Sequence, residues 1–205
     1  MANDNSPRGL VPLRWPSIPV NLYRVSTGAD LFLGMPVELA ADGYIGPVVD
    51  VASAGAVRSI GVVVGFAGTL KRGLATNDPF LDVSDLTPPT PSSDTGDRWA
   101  VVADDPNQEF LIQEDTGGTA LALADAGLAI ALLYRATSGN TDTGWANLEA
   151  DASTAVASNS GICQLLRLHD GVQVDGTENS VGDYAKWVVR LLNHQKRSGL
   201  NPIPA

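Results

Sequence analysis

The stretch VNLYRVSTGADLFLGMPVELAADGYIGPVVDVASAGAVRSIGVVVGF, residues 20–66, decides the fold. Its apolar runs VNLYRV, LFLGMPVEL, YIGPVVDV and VRSIGVVVGF are separated by turn signals, Asp42-Gly43 and residues 53–55 among them. Short runs at this spacing predict a β meander. Asp42-Gly43 suits a tight hairpin, because glycine takes up the positive φ that primed turns require. Pro36 and Pro47 cannot donate to a ladder, so their strands are expected at sheet edges, or bulged there.

The same pattern resumes at residue 99. WAVVA, the turn Asp104-Asp105-Pro106 and QEFLIQED predict a hairpin, with Phe110 and Ile112 alternating with Glu109, Leu111 and Gln113. LALADAGLAIALLY (121–134) is ambiguous, since Ala and Leu favour helix while Gly127 interrupts it; we expect a helical turn at 123–126 and a strand at 128–134. Residues 137–144 read as a loop, GICQLLRL as a strand, and a second turn-rich loop begins at His169. AKWVVRLLNH (185–194) also fits a helical face, pairing Trp187 with Leu191 and Val188 with Leu192. A strand is preferred, with Ala185, Trp187, Val189 and Leu191 on one face and Lys186, Arg190 and His194 on the other.

The fold class that follows is all-β: an antiparallel β sandwich or barrel with an extended N-terminal arm, long loops and at most one or two short helices. Residues 1–20 form the arm, 21–77 the meander, 78–98 a Pro-rich connection, 99–194 a second β-rich half packed with 21–77 as one domain, and 195–205 a C-terminal tail. The arm holds Pro7, Pro12, Pro16 and Pro19, which rule out a helix. It is too apolar for a solvated tail, so Arg8, Leu10, Leu13, Arg14 and Trp15 are candidate partner contacts, against the alternative that the arm folds back on its own chain. On the first view its deletion leaves a folded domain. The connection carries Pro79, Pro88, Pro89 and Pro91 among polar residues and is either a lobe boundary or a second contact surface.

Charge narrows the partners. Thirteen Lys and Arg against 23 Asp and Glu give a formal charge of -10, which opposes contact with nucleic acid or an anionic membrane. The opening MANDNSPRGL lacks the pattern of a secretory signal, and the apolar stretch 119–134, interrupted by Asp125, is too short to span a bilayer. The single cysteine, Cys163, is expected as a packed thiol.

Candidate chemistry has cheaper explanations in turns and packing. His169 and His194 lie in no zinc-binding or nucleophile-elbow pattern, and no phosphate-binding glycine motif occurs. Asp170, Asp175, Glu178 and Asp183 do not match a calcium-binding EF-hand loop, while Asp-Gly pairs and Asn179 serve turns equally well. Asp104, Asp105 and Glu109 would suit a carboxylate-dependent hydrolase, yet a turn accounts for them. Of the tryptophans, Trp99 and Trp187 are expected in the core; Trp15 and Trp145 divide between core and a sugar-stacking or protein-binding platform. The chain is therefore read as non-enzymatic, with no catalytic residue, cofactor or metal.

PRGLVPLR, LFLGMPVEL, GVVVGF, VVADDPNQEFLIQED, SGNTDTGW and AKWVVRLLNHQ, in this order, resemble the capsid decoration (cement) proteins of tailed bacteriophages. The resemblance covers most of the chain, missing chiefly the Pro-rich connection. It implies a β-rich virion protein, often a homotrimer, made in the host cytoplasm and bound to the outer capsid surface. There it would bridge subunits of the major capsid protein and stabilise the shell. The alternative is a phage tail, fibre or carbohydrate-binding β module.

Overall fold

The computed structural model describes residues 3, 5–13, 19–26, 30–48, 58–67, 99–155, 161–172 and 176–196. Its first strands are β1 (Val11–Pro12), β2 (Val20–Arg24), β3 (Pro36–Leu39), β4 (Ile45–Pro47), β5 (Gly61–Ala67) and β6 (Trp99–Ala103). Then follow β7 (Glu109–Gln113), β8 (Ala129–Ile130), β9 (Leu132–Gly139), β10 (Ala146–Ala150), β11 (Cys163–Leu168) and β12 (Lys186–Leu191). The fold is all-β and sandwich-like, with antiparallel ladders. One five-stranded sheet runs β1-β7-β12-β11-β8, a second runs β2-β6-β5-β3-β4, and β9 pairs with β10. The expected short helices are two 3-10 turns, Leu123–Asp125 and Ala152–Thr154.

The meander expected over residues 20–66 is corrected: β3 pairs with β4 and β5, whereas β2 and β5 both pair with β6, which lies outside this stretch. Between β3 and β4 the Gly43 amide donates to the Ala40 carbonyl at 3.0 Å and the Ala40 amide to the Tyr44 carbonyl at 2.9 Å. Gly43 sits at φ +82°, the left-handed conformation that the sequence assigned to it. Pro47 ends an edge strand, as expected. Pro36 does not: β3 lies between β5 and β4, and the proline is tolerated there because it opens the strand. Just past β2, Val25 bridges Ile45 and the Ser26 amide donates to the Ile45 carbonyl at 2.8 Å, so one end of this sheet curls towards closure.

The expected hairpin at 99–113 is corrected. β6 has β2 on one side and β5 on the other, so no edge remains for β7, which pairs with β12 and β1 in the other sheet. The turn is real, with the Gln108 amide on the Asp105 carbonyl at 3.0 Å, but it carries the chain from one sheet to the other. The run after Gly127 is also divided. At Ala131 the ladder breaks, its amide donating to Thr154 Oγ1 at 3.0 Å, and β9 leaves the first sheet to pair with β10. β9 continues to Gly139, so the loop predicted at 137–144 shrinks to the turn closed by Gly144 amide donation to the Asn140 carbonyl at 2.7 Å.

One hydrophobic cluster takes side chains from both halves: Met35, Val37, Ile45, Val62 and Val102 with Phe110, Ile112, Leu148, Leu165 and Trp187. β12 lies between β7 and β11, which resolves 185–194 as a strand. Trp187, Val189 and Leu191 fill the core as the alternation required, and Val188, on the opposite face, is buried too. The strand ends before His194, which is buried beside Ser59 rather than aligned with Lys186 and Arg190.

Candidate functional site

The arm is stitched to its own chain. Asn3 Nδ2 donates to the carbonyls of Ser180 and Asp183, each at 2.9 Å. Gln113 uses its whole amide next: Oε1 accepts from the Ser6 amide (2.8 Å) and from Lys186 Nζ, while Nε2 donates to Asn5 Oδ1 (2.9 Å) and Glu149 Oε1 (2.6 Å). β1 pairs with β7, and the Leu13 amide reaches the Glu109 carbonyl at 3.0 Å. Gly9 (φ +63°) and Gly34 (φ +80°) cross in contact, and a Cβ on Gly34 would stand 2.2 Å from the Arg8 carbonyl oxygen. No larger residue fits that crossing.

The candidate partner contacts therefore separate. Leu10 is 0% exposed and belongs to the core, a correction, because the glycine crossing turns it inward. Leu13 is half-buried and Arg8 exposed. Arg14 and Trp15 lie outside the described residues, as do the connection 78–98 and the tail beyond residue 196.

The exposed apolar surface that sequence reasoning missed lies on β2. Val20 and Leu22, two residues apart and so on one face, are 41% and 56% exposed. Leu22 stands opposite Val101 and Arg24 opposite Trp99, with the Arg24 guanidinium 5.3 Å from the Trp99 ring centroid. Among the described residues β2 has a ladder partner on one side only, β6, so its N-terminal half presents an open edge beside this apolar strip. The period-two pattern of VNLYR was visible in the sequence, but both of its faces carry large side chains, so nothing local marked the outward one.

The acidic side chains have separate tasks. Asp104 is buried, accepts from Asn21 Nδ2 at 2.9 Å and Tyr23 Oη at 2.5 Å, and pairs with Lys196. Burial raises its pKa, but the hydrogen bonds from Lys196, Tyr23 and Asn21 outweigh it and hold the carboxyl below the ordinary range. Asp105 Oδ1 caps the turn through the Asn107 amide at 2.8 Å, and Glu109 pairs with Arg167 at 2.8 Å. Each hydrolase candidate is thus held by its own partner. Glu114, fully buried, accepts from Trp187 Nε1 at 2.7 Å and the Leu121 amide at 2.8 Å. Its pKa is raised, by burial first and then by the charges of Asp115 and Asp183, against those two hydrogen bonds.

Asp170, Glu178 and Asp183 are exposed, and Asp175 lies outside the described residues. Among the described residues no group of three or more His, Cys, Asp or Glu is placed to hold a metal ion. Cys163 is 0% exposed, its thiol pKa pushed up by burial. Trp187 is in the core as expected; Trp99 is only half-buried, under Arg24, and Trp145 is half-buried. Comparison with protein-family models, curated proteins and solved structures gave no match, so the site is interpreted from its own residues.

Proposed function

We propose that this chain is a virion structural protein that decorates the outer surface of a tailed-phage capsid, bridging major capsid subunits as a homo-oligomer, and is not an enzyme. The observation that carries this reading is the exposed Val20 and Leu22 pair beside the open edge of β2. An apolar strip with an unpaired strand edge is a surface that other polypeptides cover. The ordered resemblance to decoration proteins supplies the partner. Repetition of the strip in an oligomer would add avidity without new contacts per copy.

Capsids lacking the chain, mixed with the purified protein and sedimented, test the reading. Saturable co-sedimentation that Leu22→Asp abolishes, with the variant still folded, is expected. Failure of the unaltered chain to sediment with capsids would refute it. Binding to glycans instead, lost on changing Trp145, would favour the carbohydrate-binding alternative.

A further inference from the structure

A groove of about 170 Å³ crosses the outer face of the first sheet. Its floor is Leu111, Gln113 and Lys186, one wall is the arm with Arg8 and Val11, and the other is the loop with His169 and Val172. Among the described residues, the ionisable side chains lining it are Arg8, His169 and Lys186, with no Asp or Glu. On a chain with 23 acidic and 13 basic residues, this reverses the prevailing sign. Asp170 stands at the rim, fully exposed, with Oδ1 3.9 Å from His169 Nδ1.

Both walls are fixed before any ligand arrives. Asn179 ties the loop to β12, donating to the carbonyls of His169 (2.7 Å) and Lys186 (2.8 Å) and accepting from the Lys186 amide (2.8 Å). Gln113 ties the arm at Ser6. Lys186 Nζ reaches Gln113 Oε1, and the exposed Arg8 guanidinium makes no hydrogen bond or ion pair with any other described residue. Val172, on the rim, is 66% exposed. A preformed surface of this kind loses little entropy on binding.

We propose that this groove docks an extended, acidic segment of another polypeptide, a carboxylate side chain entering between Arg8 and Lys186 while an apolar neighbour covers Val11 and Val172. The charge of the lining selects the carboxylate. The volume is below the roughly 300 Å³ at which small-molecule pockets begin, which favours a chain laid across the groove over an enclosed metabolite. The net charge of -10 opposes a nucleic-acid strand, with a phosphate on every nucleotide, more strongly than a peptide that brings one or two carboxylates, because the repulsion grows with each charge laid along the surface. Docking in this groove is separate from capsid attachment through β2 and is measured on the isolated protein.

The test titrates the full chain, labelled with nitrogen-15, with the blocked peptide acetyl-Val-Glu-Val-Glu-Val-amide and follows amide shifts. Saturable shifts at Leu111, Gln113, Val172 and Lys186 are expected, absent with the Gln-for-Glu peptide. Arg8→Glu, an exposed change that keeps the amide spectrum dispersed, is expected to weaken the acidic peptide about tenfold or more. It should also admit the Lys-for-Glu peptide. An absent or unsaturable response, equal shifts from the neutral peptide, indifference to Arg8→Glu, or stronger binding of a single-stranded oligonucleotide would each overturn the proposal.

Discussion

Trp187 and Glu114 meet where two energetic demands coincide, a large ring filling the core and a buried carboxylate needing donors. Trp187→Phe removes the indole N–H and part of the ring, and thermal or urea unfolding should show a loss of about 3 kcal/mol. Loss of that donor also raises the Glu114 pKa beyond its already raised value. A group with a raised folded pKa contributes stability below its unfolded pKa and loses it as pH rises through the folded one. The deficit of the variant is therefore expected to grow as pH rises through the raised folded pKa of Glu114 and to level off once the carboxyl of the variant has ionised too. Asp104 behaves with the opposite sign. Its folded pKa is lowered, so its contribution is present above the unfolded value and lost as pH falls through the folded one. Asp104→Asn should flatten the fall in stability of the chain as pH drops through and below the ordinary carboxylate range, a flattening measured by unfolding at each pH. The sequence offered Trp187 as core and Asp104 as a turn residue. It could not offer their partners, because Glu114 and Lys196 reach them through the topology.

At the scale of elements, strands were legible wherever Val, Ile and Leu alternate between turn residues, and 185–194 was resolved by its place between two strands. Pairing was less legible. The turn at residues 104–108 has all the chemistry of a hairpin, yet the edges of β6 are filled by strands distant in sequence. The arm shows the same limit: its prolines announced an extended chain, and only the Gly9 and Gly34 crossing reveals that Leu10 turns into its own core. Deletion of residues 1–13 is accordingly expected to destabilise the fold, contrary to the detachable arm that the composition suggested. Removing Leu10 alone accounts for about 2–5 kcal/mol, so the truncated chain should melt well below the full one by circular dichroism. Gly34→Ala isolates the crossing: the positive φ and the Arg8 carbonyl in its path should cost about 2 kcal/mol or more, read from the same melting curves.

For the whole molecule, an acidic balance of charge leaves the described exposed apolar side chains as the places where partners gain most. Val20 and Leu22 form the strip beside the open edge of β2. Leu22→Asp changes an exposed residue, so stability should move by less than about 0.5 kcal/mol while capsid attachment fails. That separation distinguishes a contact surface from a structural one. Nothing in VNLYR alone announced it, because which face of β2 stays exposed depends on packing by residues distant in sequence.

Proposed attachment to the outside of a tailed-phage capsid is tested by electron cryomicroscopy of the particles with which the chain co-purifies, compared with particles from which it has been removed. Difference density of the size of this chain or its oligomer is expected on the outer shell, seated where major capsid subunits meet and lost on removal. Difference density confined to the tail, or none on the shell, would contradict it.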